Sequence, residues 1–224
     1  MNINVTLLFS IEAYEAVADA YIEALEQRLE AGRQVDNMAS VASFFLSRID
    51  SLTDARLHSL PDKPEAHISY WGAKELDSLL GEAAVANAKL AYQSFEARIK
   101  SDRWAILEAE GATPQRMLWA STSTKNPAYP DTKYVEPLIG ELTINTMPEE
   151  TMAAFLDHGV VQDTVCEDTD KAKKTMQRLS EIGIEFDTLT NQLLDEGLEK
   201  FVAPFDRLID SLEERVSSLS RQTA

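Results

Sequence analysis

Apolar, β-prone runs recur at Ile3 to Phe9, Val41 to Leu46, Met117 to Ala120 and Leu142 to Thr146, each giving way to a stretch of helical character. The rhythm is β-α-β-α. Ser10 is placed to cap a helix over Ile11 to Ala31, which has an Ala/Leu/Val stripe and Gly32 as its stop. After the second run a polar loop through Asp62-Lys63-Pro64 leads into an Ala-rich helix from about Lys74 to Lys100, whose small side chains allow close packing. The third run enters Ser121-Thr122-Ser123-Thr124-Lys125-Asn126-Pro127, a loop dense in hydroxyls, before a short segment at Tyr134 to Ile139. Pro148 opens a helix over Glu149 to His158. From Asp170 onward the pattern is helical and acidic-amphipathic, with breaks expected at Gly183 to Asp187 and at Pro204.

Parallel strands need helical crossovers, and helices covering both faces make each strand read as a nearly continuous apolar run. A doubly wound sheet and part of a (β/α)8 barrel both satisfy that pattern. No glycine-rich phosphate loop follows any strand, which favours the barrel. The first run starts at the initiating methionine with nothing before it to cover its outer edge, so a preceding portion is expected to be missing.

The 224 residues carry a formal charge of −17, which argues against nucleic acid or anionic membrane as a partner, since both demand clustered Lys and Arg. Cys166 is the single cysteine, so no internal disulfide forms, and its acidic neighbours disfavour a thiolate. No apolar run reaches membrane-spanning length, and the expected compartment is the cytoplasm. His58, His67 and His158 have no metal-ligand spacing, so no metal is expected, and Trp71, Trp104 and Trp119 read as packing anchors.

In a barrel, chemistry collects at the C-terminal ends of the strands. Asn4 and Thr6 interrupt the first strand on one face, either as satisfied core polar groups or as ligand contacts. Ser43, Phe45, Ser47 and Arg48 mark the end of the second; Ser121, Ser123 and Lys125 that of the third; Asn145 and Thr146 that of the fourth. Arg48 reads as a ligand contact or as a partner of Asp50, and Lys125 as a ligand contact or a solvated cation. Two cations among hydroxyls at one barrel mouth make a phosphate site.

The segments Asn2 to Ser10, Val41 to Asp50, Ala86 to Tyr92, Trp119 to Tyr129 and Thr143 to Pro148 together resemble transaldolases, particularly the longer bacterial subfamily. The resemblance implies an α/β fold, the C-terminal half (strands five to eight and helices) of a (β/α)8 TIM-type barrel, with residues 1–224 one partial domain lacking strands one to four. It implies a pentose-phosphate-pathway transferase that moves a dihydroxyacetone unit from sedoheptulose 7-phosphate to glyceraldehyde 3-phosphate. A lysine Schiff base serves as electron sink in that chemistry, with no separate cofactor. On that match Asn4 contacts substrate hydroxyls, Thr6 positions the catalytic water, Ser43 contacts the sugar, and Phe45 shapes the site. Arg48, Ser123 and Lys125 then hold the phosphate.

One departure is severe. The family's Schiff-base lysine and its Asp and Glu acid/base groups match no residue of this chain, and Lys125 falls on a phosphate position. Three readings stay open: part of a transaldolase, inactive alone; a non-catalytic sugar-phosphate-binding or interaction protein; or one half of a split enzyme. The expected partners are sugar phosphates, together with self-association or pairing with a missing N-terminal half. A half-barrel with open strand edges is expected to be unstable as a monomer.

Overall fold

The computed structural model describes residues 2–60 and 73–222. The Asp62-Lys63-Pro64 loop, His67 and Trp71 lie outside the described residues. Four strands, β1 (Asn2–Leu8), β2 (Ala39–Phe45), β3 (Arg116–Ala120) and β4 (Thr143–Asn145), form one sheet in the order β1-β2-β3-β4, every pairing parallel. The expectation of strands five to eight is overturned here. Each strand pairs with the next along the chain, so the sheet counts as strands one to four of a TIM-like half-barrel, and the geometry carries no offset of four.

The helices follow the apolar pattern where burial is apolar. Helix α1 (Ile11–Glu30) starts as expected, with Ser10 Oγ accepting from the Ala13 amide at 3.1 Å. Helix α2 (Ser47–Ser59) occupies a stretch expected to be polar loop, because much of its inward face is polar: Ser47, Asp50, Thr53 and Asp54 are buried beside Ile49 and Leu57. The single helix expected from Lys74 to Lys100 is two, α3 (Ala73–Asp77) and α4 (Ala83–Ile99), broken by a turn in which Gly81 has φ +71°. Helix α5 (Asp102–Ala109), capped by Ser101, was not anticipated. After a 3-10 turn at Glu136–Leu138 come α6 (Glu149–His158), α7 (Thr169–Glu181) and α8 (Phe186–Gln222). The break near Gly183 is present, whereas α8 runs through Pro204.

The main core lies between the sheet and α4, where Ala83, Ala84, Ala88 and Ala91 are all 0% exposed and let neighbouring backbones approach closely. Asn87 on the same helix donates to the Phe9 carbonyl at 2.9 Å, fastening α4 to the end of β1. A smaller cluster, including Tyr21, Leu25, Trp104 and Leu107, joins α1 to α5. No helix among the described residues is long and apolar enough to cross a membrane.

Asp50, 1% exposed, ties α2 to two other segments. Its Oδ1 accepts from the Ala84 amide at 2.7 Å and its Oδ2 from the Tyr134 hydroxyl at 2.8 Å, with Lys133 Nζ 4.0 Å away. Burial is the dominant reason its carboxyl is raised to about 6, against the pull of the Ala84 amide, Lys133 and Tyr134. A raised carboxyl means the folded chain holds this proton more tightly than the unfolded chain does. Its contribution to stability is therefore full below about pH 4, falls as pH rises to about 6, and is level above that. Asp50→Asn lacks this titration. Across that window the urea-unfolding free energy of wild type minus variant should fall by on the order of 3 kcal/mol. A difference that is flat with pH would count against the buried, proton-holding carboxyl.

Candidate functional site

The C-terminal ends of β1, β2 and β3 bring most of the sequence candidates onto one rim. Asn4, exposed on β1, accepts a 2.6 Å hydrogen bond from Ser43 Oγ on β2, so these two side chains form a joined pair. Thr6 is exposed one pleat further along the same face. It precedes Leu7, whose φ of +61° coincides with a register shift between Val5 and Leu8 that re-aims the strand end.

At the end of β2, Phe45 packs on Phe9 with ring centroids 5.2 Å apart. The Arg48 guanidinium lies over the Phe45 ring, 5.4 Å from its centroid. Arg48 Nη1 is buried without a hydrogen-bond partner among the described residues, a costly arrangement for a cationic donor. The anticipated pairing of Arg48 with Asp50 is not formed among the described residues. Positions two apart on a helix do not face each other, and Asp50 turns to α4 and Tyr134 instead.

The β2 and β3 ends continue side by side beyond the strands. Leu46 and Ser47 amides donate to the Ala120 and Ser121 carbonyls at 3.0 Å each, and the Ser47 and Ser121 hydroxyls bond at 2.8 Å. Ser121 takes φ +57°, turning the loop so that Ser123 is buried and Lys125 exposed. Lys125 Nζ donates to Ser123 Oγ, which joins the two expected phosphate contacts to each other. Asn145 and Thr146 do structural work: Asn145 Nδ2 donates to the Tyr134 carbonyl at 3.0 Å and Thr146 Oγ1 to the Trp119 carbonyl at 2.9 Å.

The sequence reading missed the network beneath this rim. Asp54 Oδ2 accepts from the Tyr129 hydroxyl at 2.6 Å and Oδ1 from the Gly81 amide at 2.8 Å. Lys133 Nζ sits 4.6 Å from the Tyr129 ring centroid. A cleft of about 310 Å³ between α2 and the β3 loop is lined by Asp50, Asp54, His58, Lys125 and Tyr129 among others. It was legible only as the acidic spacing Asp50-Asp54 on what proves to be a helix.

Lys89 was also missed. This α4 lysine is 6% exposed, and its Nζ donates to the Thr164 and Glu167 carbonyls at 2.9 and 2.7 Å. Burial lowers its pKa, as an amine nucleophile requires. However, its ammonium belongs to the helical layer, where it lines a cavity of about 210 Å³ between α4 and α7. Cys166 is exposed with its pKa raised, first by partial burial and then by Glu96. His158 is an exposed group bonded to Asp131 at 3.0 Å. Trp104 and Trp119 are buried anchors, as expected. No cluster of His, Cys, Asp and Glu suited to a metal occurs among the described residues.

The chain is similar to known proteins over nearly all its length. It is 48% identical over 226 residues to the transaldolase of Trichodesmium erythraeum, a match covering 98% of this chain and 58% of that protein. To transaldolase 2 of Nostoc punctiforme it is 46% identical, again over 98% of this chain and 58% of the relative. For the Parafrankia transaldolase the figures are 44%, 97% and 56%. The chain thus spans 56% to 58% of the length of these curated relatives. The family model described as Transaldolase/Fructose-6-phosphate aldolase matches residues 1–212, and the chain belongs to that family.

Proposed function

We propose that this chain is the substrate-holding part of a transaldolase of the longer bacterial subfamily, acting in the cytoplasm on sugar phosphates of the pentose phosphate pathway. The observation that carries the reading is the buried Arg48 Nη1 at the start of α2, which has no hydrogen-bond partner among the described residues. A buried cationic donor without an acceptor is costly, and an anionic oxygen within its reach removes that cost. Ser123 and Lys125 lie on the neighbouring strand end, already bonded to each other, and complete the phosphate cradle. Lys125 contributes a point charge where a guanidinium would offer a fork.

The remaining roles follow from position. The Asn4–Ser43 pair presents a joined amide and hydroxyl to the hydroxyls of the dihydroxyacetone unit. Phe45 supplies an apolar wall held by Phe9, and Thr6, exposed on the Asn4 face, orients the water that releases the product.

The covalent step needs an amine. A lysine nitrogen attacks the ketose carbonyl, water leaves, and the resulting iminium accepts the electron pair of the breaking carbon–carbon bond. Neither candidate amine of this chain suits it: Lys125 is tied to Ser123 in the cradle, and Lys89 spends two donors on carbonyls in the helical layer. In this reading the amine and its acid/base partners are supplied by polypeptide beyond these residues, in a longer protein or a separate chain. This chain alone binds without turning over.

Two measurements test these claims. Sedoheptulose 7-phosphate should raise the melting temperature of the wild type, with Arg48→Ala weakening the apparent affinity at least tenfold. An unchanged ligand response in that variant would remove Arg48 from the site. Borohydride reduction in the presence of the same ketose should leave the chain without a covalent adduct. A reduced adduct mapped to Lys125 or Lys89 would instead make this chain catalytically complete in its amine.

A further inference from the structure

A cavity of about 210 Å³ lies between α4, α7 and the segment after the β3 loop, far above the roughly 15 Å³ that one water needs. None of its lining residues belongs to the strand-end rim. Gly81, at the turn before α4, forms part of the wall, and Lys133 Nζ lies 3.0 Å from the place an added Cβ would take there. The missing side chain lets the ammonium approach the backbone at the cavity.

The hydrogen bonds around this cavity are incomplete. The Lys133 side chain is only 14% exposed, and its ammonium has three N–H groups to place. Its carboxylate neighbour, Asp50 Oδ2, stands 4.0 Å away, too far for a hydrogen bond, and its other neighbours are the ring faces of Tyr129 and Tyr134. No acceptor takes a hydrogen bond from Lys133 Nζ among the described residues. Lys89 spends two N–H groups on the Thr164 and Glu167 carbonyls and keeps a third. Thr175 of α7 is 6% exposed, yet its hydroxyl makes no hydrogen bond among the described residues. Polar groups this deeply placed are ordinarily satisfied. Here three of them, from three different segments, line one cavity with donors to spare.

The charges lean the same way. Lys171 adds a third ammonium, against two lining carboxylates, Glu82 and Asp168. Glu82 is spent on Lys171 at 2.7 Å, and Asp168 is exposed and acts on Lys89 through space. The lining is therefore locally cationic in a chain whose formal charge is −17.

We propose that this cavity binds a small phosphate-bearing ligand, whose oxygens accept from Lys89, Lys133 and Thr175. A tetrahedral phosphate presents oxygens in several directions, as donors arriving from three segments require. A planar carboxylate is better matched by a guanidinium fork, and no arginine lines the cavity among the described residues. Val85, Ala86 and Pro137 supply an apolar wall for the carbon portion of a phosphate ester. The inference does not rest on the sugar-phosphate reading of the rim.

Inorganic phosphate titrated into the ¹⁵N-labelled full chain at low ionic strength tests it through the amide chemical shifts. Gly81, Lys133 and Thr175 should shift together on one saturation curve, and Arg48→Ala should leave that curve unchanged. No shift at these amides overturns the proposal, and so does a shift that Arg48→Ala abolishes, since phosphate would then act through the rim. Lys133→Gln should weaken the binding at least about tenfold and Thr175→Val about threefold. Because Lys133 also stands beside Asp50, a third variant keeps the test apart from folding. Glu82→Gln removes a half-buried carboxylate, frees Lys171, and should tighten phosphate binding by about threefold. Unchanged or weaker binding in Glu82→Gln refutes the cationic site. Glycerol 3-phosphate held more tightly than inorganic phosphate assigns the cavity to a phosphate ester, and the reverse order assigns it to the free ion. Malonate held as tightly as either would overturn the preference for phosphate.

Discussion

The buried carboxylate of Asp50 sets the conditions under which the rest of the molecule is assembled. A carboxyl at 1% exposure is tolerable only with acceptor sites filled, and the two donors that fill them come from different parts of the chain, the Ala84 amide and the Tyr134 hydroxyl. Satisfying one side chain therefore docks the start of α4 and the segment after the β3 loop onto α2. Asp54, one turn later, repeats the device with the Gly81 amide and the Tyr129 hydroxyl. Gly81 has to lack a side chain, since a Cβ would sit 2.7 Å from the Tyr129 ring. Both tyrosines flank Lys133, and both belong to the segment that follows Lys125. The helix that carries Arg48 is thus the helix to which the Lys125 loop is moored.

That dependence also explains what could be read from the amino-acid pattern. The four strands were legible as apolar, β-prone runs, although only β2 and β3 are mostly buried, and α1 because Ser10 and Gly32 punctuate it. Helix α2 was not, since Asp50, Thr53 and Asp54 face inward and erase the hydrophobic period that marks a helix. The turn at Gly81 hid inside an Ala-rich run whose propensity is helical throughout, and only a positive φ and a tertiary partner break it. Pro204 misled in the opposite direction. It costs one hydrogen bond in a helix already exposed to water, and α8 absorbs that without ending. The strand numbering five to eight came from motif matching and not from the sheet, whose order β1-β2-β3-β4 follows the chain from its first strand.

The candidate residues could be picked from the sequence, whereas the contacts they make could not. Asn4, Ser43, Phe45, Arg48, Ser123 and Lys125 were picked by type and by their place at or beyond strand ends; Asn4, Ser43 and Phe45 lie on β1 and β2, Arg48 at the start of α2, and Ser123 and Lys125 in the loop after β3. What no spacing could supply is the distinction between satisfied and unsatisfied groups. Asn4 and Ser43 answer each other, as do Ser123 and Lys125, while Arg48 keeps an unanswered buried donor. The burial of Lys89 could not be read from Ala86-Asn87-Ala88-Lys89, because its carbonyl partners lie 75 and 78 residues away in the chain.

A chain this acidic would be an unusual host for the proposed anionic ligand, and the local geometry offers a way to contain that conflict. With a formal charge of −17 the long-range field repels a phosphate. That repulsion is screened over about 8 Å at physiological ionic strength, so it bears on encounter far more than on the bound state. Close in, the balance reverses. The carboxylates nearest the rim are occupied, Asp50 and Asp54 by tyrosine hydroxyls and backbone amides, which leaves Arg48 and Lys125 as the cations of the proposed phosphate site. Local cation and global anion can coexist because the binding contacts act within hydrogen-bond distance, where the orphaned guanidinium donor is worth more than the diffuse field around it.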